Sequence, residues 1–231
     1  MDMRSRFLVF VLPLLACGQA TAMGLPSLDA SGIAPAVVSA MSSAQTVFVS
    51  ANDGAAAKSM ISRLGDEAIR TISNSGLDEA SKKQTFRRLL TQNFDMATIG
   101  RFAMGKYWRQ ATPQQQAEYT RLYEKMIVDV YTARFNKYSG QTFEVTDTRV
   151  DESGDIVVSS NVVSSGSTPV SVDWRVRPKG GGYRIIDVMV EGVSMAVTQR
   201  NDFAGVIQQG GGTVDALLDY LKKGGTSDVK K

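Results

Sequence analysis

Residues 170–190 read VSVDWRVRPKGGGYRIIDVMV, and this stretch decides the fold. Val170, Val172, Trp174 and Val176 alternate with Ser171, Asp173, Arg175 and Arg177, the period of two that gives a β-strand one apolar and one polar face. Gly180–Gly182 then breaks the chain, and Tyr183–Val190 reads as the next strand. Toward the N-terminus, Ile156–Val163 and the pair Phe143 and Val145 read as two more, separated by Ser153-Gly154-Asp155 and Ser165-Gly166-Ser167. Four successive strands on short glycine-containing turns predict an antiparallel sheet over about residues 141–192.

Before Gly140 the period is helical. Met60, Ile61, Leu64, Ala68, Ile69 and Ile72 recur at spacings of three and four and stop at Asn74-Ser75-Gly76. A second helix after Leu77 turns Phe86, Leu89 and Leu90 inward and leaves Lys82, Lys83, Arg87 and Arg88 on its solvated side. A third apolar segment covers Phe94–Trp108. Thr112-Pro113-Gln114-Gln115 is a helix start: Thr112 caps, Pro113 needs no N–H at the first helical position, and Gln115 can reach back. The stripe Tyr119, Leu122, Tyr123, Met126, Ile127, Val130, Tyr131, Phe135 and Tyr138 then predicts a long helix ending at Ser139-Gly140. Two helical stretches, Thr198–Gln209 and Thr213–Lys223, close the chain, so the class is α+β.

The N-terminus reads as an export signal. Arg4 and Arg6 precede the apolar run FLVFVLPLLA at residues 7–16, and Ala20-Thr21-Ala22 fits a small-x-small cleavage site, so residues 1–22 are expected to be removed. The run is half the length needed to span a bilayer, and no later stretch is long enough. A competing reading is a lipobox, Leu14-Leu15-Ala16-Cys17, in which Cys17 would be lipidated. Residues 23–54, rich in Ala, Ser, Gly and Pro, read as a loosely held segment, residues 55–223 as one domain, and residues 224–231 as a disordered tail.

The 231 residues carry a net charge of +3 and no histidine, and the one cysteine lies in the leader. Ser-His-Asp, Cys-His and histidine-ligated metal sites are therefore excluded, no cofactor is expected, and no basic face points to nucleic acid. Gly100–Tyr107 (GRFAMGKY) approaches the P-loop pattern, but Tyr107 stands where the magnesium-binding Ser or Thr belongs and the preceding residues are helical in pattern. Asp187 sits among apolar neighbours, which suits either a cavity or an ion pair with Arg175 or Arg200. Met96, Ile99, Phe102, Met104, Tyr107 and Trp108 offer soft apolar surface that either fills a core or lines a deformable pocket, and periodicity leaves both open.

The stretches NFDMATIGRFAMGKYWRQATPQQQAEY (93–119), YTARFNKYSG (131–140), VDWRV (172–176) and GYRIIDVMVEGVSMAVTQR (182–200), followed by the Phe203–Leu221 helices, resemble the MlaC, or toluene-tolerance, family of periplasmic lipid-binding proteins. The resemblance runs in unbroken order over about residues 60–222, and YWRQATP and VEGVSMAVTQR resemble a branch associated with hopanoid synthesis. It implies an NTF2-like curved antiparallel sheet covered by helices, with a deep apolar cavity between them. It also implies a non-enzymatic carrier of phospholipid, or of a hopanoid-type lipid, passing its cargo between an outer-membrane lipoprotein–porin complex and an inner-membrane ABC transporter and so maintaining outer-membrane lipid asymmetry.

Apolarity and position together select the expected lipid-binding residues: Met96, Ile99, Phe102, Met104, Tyr107 and Trp108 in the helical lobe, Tyr123, Ile127 and Tyr131 on the long helix, and Val172, Trp174 and Val188 on the sheet. Arg109 and Arg200 are candidates for a phosphate. Two other readings remain: an NTF2-like isomerase or dehydratase with Asp187 or Asp173 as base, and a scaffold that docks a membrane complex through the helix around Lys82–Arg88.

Overall fold

The computed structural model describes residues 51–135 and 138–225. The expected signal peptide, Cys17, nearly all of the 23–54 segment, and residues 226–231 of the expected tail lie outside the described residues. The element order is α1 (Ala51–Ser73), α2 (Glu79–Asn93), α3 (Met96–Met104), a 3-10 turn (Gly105–Arg109), α4 (Pro113–Thr132), β1 (Thr142–Val150), β2 (Ile156–Val163), β3 (Val170–Lys179), β4 (Gly182–Val190), β5 (Val193–Ser194), α5 (Met195–Gln209) and α6 (Val214–Lys222).

The strands form one sheet in the order β1-β2-β3-β4-β5, each antiparallel to its neighbour. Five strands therefore stand where the alternation predicts four. The fifth is two residues long, too short to show a period, and follows a two-residue turn in which Glu191 and Gly192 both have positive φ, 49° and 77°. Register shifts between Val145 and Asp147 and between Arg175 and Val176 bend the sheet. Its inner face carries Ile156, Val158, Val176 and Ile185, all fully buried. The outer face carries a charge ladder, Arg149 with Asp173 at 3.2 Å and Arg175 with Asp151 at 2.7 Å.

Capping sets where the helices begin. Thr112 Oγ1 accepts the Gln115 N–H and Gln115 Oε1 accepts the Thr112 N–H, a complete capping box on α4. That helix ends at Thr132, earlier than the apolar stripe predicts. The backbone tightens there, with the Arg134 N–H bonding the Tyr131 carbonyl, and Phe135 packs edge-on to Phe86 of α2 at 5.4 Å. The basic face of α2 is engaged within the fold: Lys83 pairs with Asp129, Arg87 with Glu124, Arg88 with Glu67, and Lys82 donates to the Ile72 carbonyl.

Two junctions seat the helices on the sheet. Asp95 caps α3 by accepting the Thr98 N–H, its own N–H bonds the Ile185 carbonyl at 2.9 Å, and its carboxylate holds Lys179 at 2.6 Å. Gly65 lets α1 lie directly on β1, since a Cβ there would fall 2.2 Å from the Phe143 ring. The core divides in two. One cluster, centred on Tyr119, Tyr123, Phe203 and Leu217, joins α3, α4, α5 and α6. The other, centred on Ile61, Ile156, Val176 and Ile185, joins α1 and Leu89 of α2 to the sheet.

Candidate lipid-binding cavity

Between the two clusters lies a cavity of about 660 Å³, within the range of roughly 300–1,000 Å³ usual for small-molecule sites. Leu64 and Ala68 of α1 close one side, with Phe86, Leu89 and Leu90 of α2. Phe94, Met96 and Ile99 follow from the α2–α3 junction, and Tyr123, Met126, Ile127, Val130 and Tyr131 from α4. The sheet contributes Trp174, Val188 and Val190, and α5 contributes Met195, Ala196, Thr198 and Gln199. Arg134, Asn201 and Asp202 complete a polar edge at the end of α4 and on α5.

The wall is apolar by arrangement as well as by composition. The Trp174 indole N–H donates to Ser160 Oγ at 2.9 Å, and that hydroxyl donates to the Val172 carbonyl at 2.9 Å, so the ring meets the cavity with its polar atom satisfied. Burial pushes the Tyr123 hydroxyl far up, with Tyr131 and Asp187 adding to it, so the phenol stays neutral. Tyr131 also lines the cavity, and burial raises its hydroxyl against the opposing effect of Arg134.

The structure places the sequence-selected residues in two groups. Met96, Ile99, Tyr123, Ile127, Tyr131, Trp174 and Val188 are brought together on the cavity wall. Met104 and Tyr107 are buried in the helical core cluster instead, and Trp108 packs on that cluster, edge-on to Tyr119 at 6.2 Å. Phe102 points outward at 40% exposure beneath Arg200, whose guanidinium lies 5.3 Å from the ring centre. Val172 is buried on β3, with its carbonyl taken by Ser160, and is not part of this cavity's lining. Arg109 and Arg200 are both exposed and off the wall, so neither faces the space where a bound chain would lie.

Wall residues that the sequence reading missed fall into two kinds. Met126 and Val130 belong to the same helical stripe as Tyr123 and Ile127, so their spacing carried the signal. Leu64 and Phe86 likewise read as inward-facing on their helices, whereas Gln199 carried no signal, because only the packing of α5 around the gap puts it there.

Asp187 lies on the wall but pairs with no arginine. Oδ1 accepts the Val188 and Ala196 N–H groups at 2.8 and 3.1 Å, and Oδ2 accepts the Ser194 hydroxyl, so the carboxylate anchors the start of α5 to β4. Arg175 is held by Asp151, and Asp173 lies on the outer face with Arg149. Neither acid is placed as a free base facing a substrate. Gly100 of the P-loop-like stretch lies inside α3, where its carbonyl accepts the Tyr119 hydroxyl at 2.8 Å and a Cβ would touch Tyr123 at 3.0 Å. It serves helix contact, with no strand before it among the described residues. Among the described residues no helix is long and apolar enough to cross a membrane.

Comparison with known proteins gives a consistent picture. The sequence profile of the family described as MlaC protein matches residues 62–223. The toluene tolerance protein ttg2D of Pseudomonas putida is 24% identical over 114 residues, which span 49% of this chain and 53% of that protein. The intermembrane phospholipid transport system binding protein MlaC of Haemophilus influenzae is 19% identical over 134 residues, 56% of this chain and 62% of that one. The chain thus spans little more than half the length of these curated relatives. Among solved structures, a phospholipid-binding protein of Ralstonia solanacearum, determined in complex with a phospholipid, matches with a TM-score of 0.63 at 27% identity, covering 73% of this chain and 96% of that one.

Proposed function

The chain belongs to the MlaC family, and from that premise we propose that it is a periplasmic carrier that holds the acyl chains of a phospholipid in its cavity and moves them between the outer and inner membranes. The observation that carries this reading is the apolar gap of about 660 Å³ separating two hydrophobic clusters within one domain. A single domain ordinarily builds one contiguous core. Apolar walls that face such a gap lack the packing partners a filled core would give them, which is destabilising. An apolar ligand removes that deficit.

The physics also gives the carrier its role. Burying a methylene stabilises by about 0.8 kcal/mol, so two chains of some sixteen carbons represent on the order of 25 kcal/mol that a bare lipid would lose in water. A cavity of matching apolarity makes exchange with a membrane nearly isoenergetic. Direction must then come from docking partners, here an outer-membrane lipoprotein–porin complex and an inner-membrane ABC transporter. Cleavage after Ala22 leaves a freely diffusing protein, as a shuttle requires, whereas lipidation at Cys17 would tether it.

Native mass spectrometry of protein purified from its envelope without detergent tests the reading. The expected result is a bound species whose extracted mass identifies a glycerophospholipid, on a polypeptide beginning at Met23. A hopanoid mass would keep the carrier and change its cargo. Protein that carries no lipid and takes none up from phospholipid vesicles would overturn the proposal.

A further inference from the structure

Gln199 is a buried polar side chain of the cavity wall whose amide nitrogen no protein group satisfies. It is 8% exposed, and its Nε2 has no hydrogen-bond acceptor. The other buried side-chain atoms without hydrogen-bond partners among the described residues belong to Asp129, Asp151 and Arg175, each of which is in an ion pair. On α5 and β4 the Asp187 oxygens accept from Val188, Ser194 and Ala196, the Thr198 hydroxyl donates to the Ser194 carbonyl, and neither side chain accepts from Gln199. Gln199 shares the cavity lining with Tyr123, whose ring meets Phe203 of α5 at 6.0 Å. A buried amide with no acceptor is destabilising, and an apolar side chain of similar size would line the cavity without that penalty.

We propose that Gln199 is a specificity residue of the cavity, donating its side-chain amide to the ester carbonyl at the head of a bound acyl chain. The proposal rests on the lipid-carrier reading and adds a recognised chemical group to it. A neutral donor surrounded by apolar wall suits a neutral acceptor. A phosphate would have to shed its hydration inside an apolar wall that also carries the Asp187 carboxylate, and it suits the polar edge at Arg134 better than this neutral amide. The terminal amide torsion is broad and roughly two-fold, so either face of the group can turn to the carbonyl without disturbing α5.

The experiment uses a diacyl phospholipid and its diether analogue, which has the same head group and chain length but no ester carbonyl. Each is loaded competitively into the lipid-stripped protein and into Gln199→Met, with Gln199→Leu as a second variant. The wild type is expected to prefer the diester by roughly two- to tenfold, the value of one net neutral hydrogen bond. The variants should bind the diether as well as the wild type does and show no preference. The lipid-free variants should also melt at a higher temperature than lipid-free wild type, because an unsatisfied buried donor has been removed; a merely structural glutamine would give the opposite shift. Equal binding of both lipids by the wild type, or a preference retained in the variants, would overturn the role of Gln199 while leaving the carrier intact. Binding of neither lipid would overturn the carrier reading and this contact with it.

Discussion

Trp174 and Trp108 are the chain's two tryptophans, and they separate core from cavity at the level of a single side chain. Trp174 faces the cavity with its N–H bound to Ser160, whereas Trp108 packs on Tyr119 with Arg101 over its ring at 5.9 Å. In a Trp108→Phe variant the remaining indole should therefore shift or quench its emission as phospholipid is titrated in. In Trp174→Phe the remaining signal should stay flat. Equal responses from the two variants would mean that the lipid lies elsewhere. Both residues read as inward-facing aromatics in the sequence, and nothing local distinguishes them.

Among the elements, the α2–α3 junction depends on one carboxylate. Burial alone would raise the Asp95 pKa, but the hydrogen bonds from Lys179 and Thr98 and the lysine charge outweigh it, so the carboxyl titrates below its ordinary value of 3.8. A depressed carboxyl contributes stability that is present above the unfolded value and lost as pH falls through the folded one. Asp95→Asn keeps a competent cap for α3 and removes the charge that holds Lys179. Urea unfolding should show it less stable than wild type by about 1 kcal/mol at neutral pH, because Lys179 is half exposed and water screens the pair. The gap should close as pH falls below the ordinary carboxylate range and the Asp95 carboxyl takes up its proton, while Asp129 and Asp151, also depressed, continue to destabilise both proteins in acid. A gap that persists in acid would show that packing, not the ion pair, sets the junction.

For the molecule as a whole, the split core makes stability depend on cargo. A ligand that binds only the folded state at about a thousand times its dissociation constant adds about 4 kcal/mol, and for a domain of this size each kcal/mol moves the melting temperature by roughly 2–4 °C. Lipid-stripped protein should accordingly melt about 10 °C below the lipid-loaded form, and reloading should restore it. Identical melting curves would argue that the gap closes by collapse when empty. The amino-acid sequence by itself determined the α+β order, the helix starts after Leu77 and at Thr112, and the alternating faces of β3, because capping and the periods of 2 and 3.6 are local. Residues 60–222 also carried the family resemblance in their motifs. Only the tertiary structure decided that Tyr123 and Trp174 line the cavity while Tyr107 and Trp108 belong to packing, that Phe102 turns outward under Arg200, and that Gln199 Nε2 has no acceptor. The physical reason is that periodicity says which side of an element faces in, whereas the width of the gap it faces depends on how far apart α1, α4 and α5 stand from the sheet, a distance set by contacts remote in the chain.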